Sequence, residues 1–269
     1  MVNPPSIPGY HIKWSDAFAG NSGMLPDESK WEIIDRYLNV NNEQETYKKN
    51  SKNIQRSGGG TLQLVPWKDG SAPHGWSSGR IESHYTFTPV AGGKTLAEAK
   101  IRFGSAAIAN KQGIWPAFWI LGDKLRHGGS WPACGELDIL ETVNGKLTGY
   151  GTVHGGTYPG GIFNEPNGIQ GHIEIPNQGW HVWRMVWDRS HGSWRDETIT
   201  WFMDGKQFHQ ISGSRINDEQ AWGVLCHSPL YFILNVAVGG GWPGNPNDQT
   251  KQGYESMMEV EYVAHHTTK

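Results

Sequence analysis

The stretch Gly135-Glu136-Leu137-Asp138-Ile139-Leu140-Glu141-Thr142 places three acidic side chains among apolar ones. In a β-strand, successive side chains point to opposite faces, so Glu136 and Asp138 share one face and Leu137 lies on the other. Strict alternation would put Glu141, five positions after Glu136, on the apolar face. A carboxylate there is strongly unfavourable unless it is neutralised or paired.

A β-bulge between the aspartate and the second glutamate removes this conflict. With one extra residue at Ile139 or Leu140, two residues oppose one on the neighbouring strand, and all three acids face the same way. Two glutamates so placed suit glycoside hydrolysis with retention, which needs carboxyl groups about 5 to 5.5 Å apart. Crowding also raises one carboxyl pKa, as a general acid near neutral pH requires. The octapeptide alone leaves a solvated strand face and a calcium site open as alternatives.

Short apolar or alternating runs between turn residues recur along the whole chain, as is typical of an all-β protein. They are TLQLVPW, IESHYTF, EAKIRFG, AFWILG, GELDILETV, YGTVHGG, HVWRMVWD, TITWFMDGKQF, LYFILNVAVGG and MMEVEYVAH. Asp204-Gly205 predicts a type I′ hairpin turn between two of these runs. Short helices are predicted only at 26–34 and 95–99. Four segments lack strand character and are candidate walls of a binding cleft: 69–76, 123–131, 158–178 and 217–226.

The composition favours one all-β domain. A length of 269 residues suits a single β-sandwich, and 36 glycines with 15 prolines are typical of short strands joined by turns. We therefore expect one domain over residues 1–269. A formal net charge of -3 without a basic stretch argues against a nucleic-acid partner. No run of 18 apolar residues exists, which argues against a membrane span.

The tryptophan and cysteine contents carry weaker signals. Most of the 14 tryptophans are expected in the core, although those near the acids are candidates for stacking on sugar rings. Cys134 and Cys226 are compatible with a disulfide and with two buried thiols, and their spacing excludes a CxxC redox or zinc site. The opening residues MVNPPSIPGY lack the apolar segment of a signal peptide, so we expect a mature form with an added Met.

GELDILE resembles the Glu-x-Asp-x-x-Glu signature of glycoside hydrolase family 16 in its bulged, laminarinase-like form. Other segments resemble that family in the same order: NNEQETY (41–47), SSGRIES (77–83), AEAKIRF, QGIWPAFWILG (112–122), TVHGG (152–156), ITWFMDGK and LNVAVGGGWPG (234–244). The resemblance runs roughly from Trp14 to Tyr262. It implies a jelly-roll, concanavalin A-like β-sandwich of two curved antiparallel sheets, with a substrate cleft on the concave face.

The resemblance also implies roles for individual residues. Glu136 would be the nucleophile, Glu141 the acid/base, and Asp138 the hydrogen-bonding residue that adjusts the proton distribution between them. Substrate-binding positions implied by the resemblance are His154, Trp115, Trp119, Trp131, Asn42, Glu43, Arg80 and Trp242. Trp115, Trp119 and Trp131 resemble the aromatic residues of the minus subsites. Asn42 and Glu43 resemble the pair that binds sugar hydroxyls at the cleft edge, and Trp242 lies in the loop that closes the cleft. A structural ion pair between the arginine and Glu43 is the alternative for those two residues.

By this resemblance the protein is expected to be a retaining endo-hydrolase of β-1,3- or mixed β-1,3/1,4-glucan. A wall-remodelling transglycosylase and a non-catalytic glucan-binding protein are the alternatives, and the presence of all three acids favours a catalyst. No cofactor and no active-site metal are expected, and the protein is expected to be secreted and monomeric. Many members carry a structural calcium site where this chain has Ala17 and Glu261, which leaves calcium open. Segments 86–96, 123–131 and 158–178 fit the family poorly, which leaves the fine specificity open.

Overall fold

Strands dominate the computed structural model, which describes residues 4–269. They are β1 (His11–Asp16), β2 (Trp31–Ile33), β3 (Glu45–Tyr47), β4 (Ile54–Arg56), β5 (Leu62–Leu64), β6 (Trp67–Lys68), β7 (Trp76–Ser78), β8 (Arg80–Phe87), β9 (Lys94–Phe103), β10 (Ile114–Gly122), β11 (Glu136–Glu141), β12 (Thr148–His154), β13 (Ile169–Glu174), β14 (His181–Asp188), β15 (Thr198–Met203), β16 (Lys206–Ser212), β17 (Leu230–Val238) and β18 (Met258–Thr267). The helices are α1 (Gly213–Ile216) and α2 (Glu219–Cys226), with 3-10 turns at Ile108–Asn110, Asp123–His127, Trp194–Asp196 and Gly253–Ser256.

Two antiparallel sheets form a sandwich. One has the order β13-β12-β11-β10-β17-β8-β2, which places the acidic strand β11 near its middle. The other has the order β16-β15-β14-β9-β18-β5-β4, with β1 paired to β18. A small third sheet has the order β3-β7-β6. The predicted all-β sandwich is confirmed.

Large aromatic side chains fill the space between the sheets and pack closely against glycines of β12. A Cβ atom on Gly149 would lie 2.2 Å from the ring of Trp183, and one on Gly151 would lie 2.4 Å from the ring of Trp201. Both tryptophans are fully buried. The indole N–H of Trp201 also donates to the carbonyl of Asp138 at 2.7 Å. The opposite sheet therefore packs directly beneath the acidic strand and holds its backbone.

Both helices predicted from the sequence are wrong. The segment 26–34 makes one turn, in which Asp27 accepts from the N–H of Ser29 at 2.9 Å, and then continues as β2. An aspartate that caps a helix and one that closes a turn give the same local signal. The segment 95–99 lies in β9, with every residue buried between neighbouring strands, so tertiary context overrides helix propensity.

The structure also tests the predicted hairpin turn, the predicted loop 217–226 and the state of the two cysteines. Asp204 and Gly205 both have positive φ, 48° and 80°, which confirms the predicted hairpin turn. The predicted loop 217–226 instead contains α2, whose N-terminus is capped by Asp218 accepting from the N–H of Ala221 at 2.9 Å. Cys134 and Cys226 are both buried, free thiols. Among the described residues, no helix has the length and apolar character needed to cross a membrane.

Two acids at the position where calcium was left open, Asp16 and Glu261, each face a positive or donating group of the chain. The Asp16 carboxylate accepts from the Trp31 indole N–H at 2.8 Å and lies 3.6 Å from the Lys30 ammonium. The Glu261 carboxylate pairs with Lys100 at 2.7 Å. Both acids already face positive groups of the chain itself, whereas calcium needs six to eight oxygen ligands.

Candidate active site

The acidic strand carries the bulge that its sequence predicts. Against β12, Asp138 pairs with Thr152 and Glu141 pairs with Tyr150, with a shift of register between the two pairs. Against β10, the same shift leaves Ile139 without a partner. Two residues of β11 thus oppose one residue on the neighbouring strand, and the predicted bulge is confirmed.

The bulge gives β11 two different faces. Leu137, Ile139 and Leu140 are fully buried in the core. Glu136, Asp138 and Glu141 instead line one cleft of about 510 Å³. Other lining residues come from β8, β10, β17 and adjacent loops: Arg36, Leu38, Val40, Asn41, Glu43, Arg80, Glu82, Trp115, Ala117, Trp119, Leu121, Leu125, Arg126, Trp131, Tyr231, Asn235 and Ala237.

Each catalytic glutamate candidate is held by an indole. The N–H of Trp131 donates to Oε2 of Glu136, and the N–H of Trp115 donates to Oε1 of Glu141, each at 3.0 Å. Trp242, near the start of the loop after β17, stands perpendicular to Trp115 with a centroid distance of 5.5 Å. The two indole hydrogen bonds hold each carboxyl group in one side-chain conformation, as a preorganised site requires.

His154 supplies the positive charge of the cluster. Its Nε2 lies 3.4 Å from Oδ2 of Asp138 and 3.8 Å from Oε1 of Glu136. Its Nδ1 lies 2.8 Å from Oε2 of Glu165, a buried residue of the loop between β12 and β13. An imidazole placed between carboxylates on both sides is stabilised in its doubly protonated form.

The pKa values of the three acids on β11 and of His154 are all raised. Burial, followed by repulsion from Asp138, raises the pKa of Glu136 to about 8. Burial also raises the pKa of Asp138, and it holds the pKa of Glu141 well above its usual range. Burial alone would lower the pKa of His154, but the carboxylates of Asp138 and Glu165 on its two sides raise it to about 11. A crowded carboxyl set of this kind keeps a proton available near neutral pH.

The far part of the cleft contains an ionic network. Arg80 pairs with Glu82 at 2.7 Å, and Arg126 approaches the same carboxylate at 3.2 Å. The Arg80 guanidinium also lies 5.0 Å from the ring centroid of Trp119, whose N–H donates to Asn235 at 2.7 Å. The structural ion pair left open for Arg80 is present, but its partner is Glu82 and not Glu43.

One predicted cleft residue is misplaced by a single position. Asn41 and Asn42 both have positive φ, 52° and 59°, in a tight turn that directs only the first toward the cleft. Asn41 lines the cleft and donates to Oε1 of Glu43 at 3.0 Å, whereas Asn42 lies outside the lining residues. The side chain next to Glu43 is therefore Asn41.

The structure adds residues that the sequence reasoning missed. These are Asn41, Glu82, Arg126, Glu165, Tyr231 and Asn235. Glu82 follows Arg80 by two positions on β8, and Asn235 is a polar residue inside the apolar run ILNVAV, so strand alternation could have indicated both. No local pattern indicates Glu165, because its role depends on the path of a long loop.

The donors most able to hold a metal ion belong to the same cluster. Ligand atoms of Glu136, Asp138 and His154 lie within 4.8 Å of one another, and no other such group of His, Cys, Asp or Glu occurs in residues 4–269. The imidazole of His154 places its own positive charge between these carboxyl groups when it is protonated. This side chain thus supplies the charge that a cation would bring.

Paired glutamates on a bulged strand, inside the cleft of a β-sandwich, define the class of glycoside hydrolases that use two carboxyl groups. The chain belongs to glycosyl hydrolases family 16, whose family model matches residues 39–264. It is therefore a glycoside hydrolase of the laminarinase-like type, and the family resemblance predicted from the sequence is confirmed.

Individual relatives agree with this assignment. The chain is 30% identical to a beta-glucanase of Rhodothermus marinus, over 95% of this chain and 85% of that protein. It is 28% identical to glucan endo-1,3-beta-glucosidase A1 of Niallia circulans, over 96% of this chain but 38% of that longer protein. The structure of an endo-1,3-beta-glucanase from Streptomyces sioyaensis superposes with a TM-score of 0.90 at 33% identity, covering 99% of each chain.

Proposed function

We propose that this protein is a retaining endo-hydrolase of β-1,3- or mixed β-1,3/1,4-glucans. The observation that carries the proposal is the bulge of β11, which brings Glu136 and Glu141 into one cleft, each held by an indole N–H. The names of the relatives support the choice of glucan, since the Niallia and Streptomyces proteins are described as acting on β-1,3-glucan.

The electrostatics support different roles for the two glutamates. Burial raises the pKa of Glu136 to about 8, but the imidazole of His154, 3.8 Å away, opposes that rise and favours the ionised form that a nucleophile needs. Glu141 forms no ion pair within residues 4–269, and its pKa is held well above the usual range, chiefly by burial, which suits a proton donor. Asp138 lies between them and shares the contact with His154, so it can accept or return a proton as the two glutamates change charge.

The reaction then proceeds in two displacements. Glu136 attacks the anomeric carbon while Glu141 protonates the glycosidic oxygen, so the leaving chain departs as an alcohol and a glycosyl ester forms on Glu136. Glu141, now ionised, takes a proton from a water molecule that attacks the same carbon. The ester bond to Glu136 breaks, and the sugar leaves with its original β configuration.

Product analysis on laminarin, lichenan, carboxymethyl-cellulose and agarose tests this function. We expect oligosaccharides of several sugars to be released early from the first two polymers, and NMR to detect the β anomer of the new reducing end first. Activity confined to cellulose or agarose, glucose as the sole early product, or an α anomer formed first would contradict the proposal. Products longer than the starting chain would instead assign the protein to transglycosylation.

We also propose that the protein is secreted and monomeric. A polymeric glucan is met outside the cell, which supports secretion, and the cleft is formed by residues of a single chain, which supports a monomer. Detection of the protein in the culture medium of its source, and a solution mass equal to one chain by light scattering, are the expected results. A cell-retained protein or a stable dimer would contradict these two proposals.

A further inference from the structure

Glu165 is a buried carboxylate in a loop whose neighbouring residues are exposed. Its side chain has 0% of its surface exposed, whereas Asn164 and Pro166 on either side are exposed. Its backbone is fixed by two hydrogen bonds with Gly160, at 2.7 and 2.8 Å. Burial of a carboxylate is unfavourable unless the group is fully paired, so this side chain must have a compensating partner.

Both oxygens of Glu165 are used on the catalytic side of the loop. Oε2 lies 2.8 Å from Nδ1 of His154, and Oε1 accepts from the N–H of Gly155 at 2.8 Å. The same loop returns against the ring of His154 at Gly168, where a Cβ atom would lie 2.8 Å from Cε1 of the imidazole. The loop therefore holds His154 at its Nδ1 and at its ring edge.

The charges around His154 are unbalanced without its own proton. Four carboxyl groups face or surround it: Glu136, Asp138 and Glu141 on β11, and Glu165 in the loop. None of them forms an ion pair with a lysine or arginine of residues 4–269. A neutral imidazole has one N–H and can donate to one side only, whereas the imidazolium donates to both.

We propose that Glu165 is a positioning residue that acts through His154, holding it as an imidazolium whose Nε2–H faces Asp138 and Glu136. Its part in the reaction rests on the proposed function, but its effect on His154 does not. A carboxylate behind a histidine fixes both the orientation of the ring and the nitrogen that faces the reacting groups.

The direction of the effect follows from which charge lies nearer the acids. The positive charge of His154 lowers the pKa of Glu136 and of Asp138 more than the remote negative charge of Glu165 raises them. Loss of the Glu165 charge weakens the imidazolium, and the nucleophile then holds its proton to higher pH. Because Glu136 must be ionised to attack, the acid limb of the pH profile moves upward.

The test compares Glu165→Gln with the wild-type protein and with Glu174→Gln, which removes an exposed carboxylate of β13. The signals of His154 are assigned by NMR through their absence in His154→Asn, and are followed against pH without substrate. We expect His154 to remain protonated to higher pH in the wild type and in Glu174→Gln than in Glu165→Gln. On a hydrolysed glucan, the acid limb of kcat/KM should move up by about one unit in Glu165→Gln, which is a tenfold loss below that limb.

A merely structural role would give a different result. Glu165→Gln would then lower kcat/KM equally at all pH values and leave the titration of His154 unchanged, and that result would overturn the proposal. Should Glu165→Gln fail to fold by circular dichroism, Glu165→Asp keeps the charge, and its acid limb and His154 titration should stay near those of the wild type. If the acid limb of kcat/KM moves as far in Glu165→Asp as it does in His154→Asn, the proposal would also be overturned. If no glucan is hydrolysed by the wild type, the proposed function fails, and the NMR titration still decides the role of Glu165.

Discussion

At the scale of single residues, Glu136 connects activity to stability. Its pKa of about 8 lies above the ordinary value, so the folded protein holds a proton that the unfolded chain has released. The contribution of Glu136 to stability is therefore fully present below its ordinary pKa and is lost as pH rises toward 8.

Glu136→Gln should abolish hydrolysis and stabilise the fold, because the amide cannot ionise. We expect a gain of about 1–2 kcal/mol at pH 8, roughly 2–6 °C in Tm, and almost none at pH 4. Thermal unfolding of both proteins at several pH values measures it. A gain that is the same at every pH would mean that the cost of ionising Glu136 is not its source.

Glu141 is expected to act by proton transfer, which chemical rescue can separate from binding. Glu141→Ala should lose activity on polymers by about 100-fold or more, yet keep activity on aryl glycosides whose leaving group needs no proton. Azide should then accelerate breakdown of the glycosyl ester and give a β-glycosyl azide, which NMR detects. Equal losses on both substrate types, without rescue, would remove Glu141 from the acid/base role.

At the scale of the element, the bulge in β11 places Glu136 and Glu141 on the same face although they are five positions apart. Insertion of one alanine between Ile139 and Leu140 should abolish activity: if the bulge persists, Glu141 turns away from the cleft, and if the strand becomes regular, Glu141 lies two residues, about 7 Å, further along the strand from Glu136. Deletion of Leu140 removes the bulge but leaves the two glutamates four positions apart on one face, so partial activity should survive at a cost in stability. Hydrolysis assays of the two variants, each checked for folding by circular dichroism, make the comparison, and an active insertion variant would contradict the account.

The elements show what a sequence can and cannot reveal. The bulge could be derived because parity of side chains is a local property and a buried acid is costly. The two wrong helices came from local signals that a turn and a doubly buried strand share with a helix. The contact of Glu165 with His154 joins residues of different elements through a loop, and no short-range pattern encodes that path.

At the scale of the whole molecule, the catalytic sheet depends on close contact with the sheet beneath it. Gly151→Ala would push a methyl group against Trp201, whose indole holds the carbonyl of Asp138. We expect a loss of about 1–3 kcal/mol and a reduced kcat. The matched control is Gly192→Ala, where nothing lies within 4 Å of the added Cβ. Thermal unfolding and initial rates measure both variants, and equal behaviour of the two would contradict this dependence.

The sequence describes the extent of the domain better than it describes the loops that border the cleft. A single domain over residues 1–269 remains a prediction, and the resemblance from about Trp14 to Tyr262 agrees with the family match over residues 39–264. The segments that fit the family poorly, 123–131 and 158–178, contain or adjoin Arg126, Trp131 and Glu165. These parts of the cleft are thus the ones that the sequence alone describes least.

The hydrogen bond from Trp131 to Glu136 gives the protein an optical signal of its own chemistry. A neutral carboxyl group quenches an excited indole more strongly than a carboxylate does, and Trp131 is 39% exposed, so it emits to the red of the fully buried tryptophans, as does Trp242 at 42%. Emission at the red edge should therefore rise with a midpoint near the pKa of Glu136, about 8. Trp131→Phe should abolish that rise. A sugar bound over the ring should move the midpoint of the rise to a different pH. The charge of the nucleophile can therefore be followed by tryptophan fluorescence without an added dye.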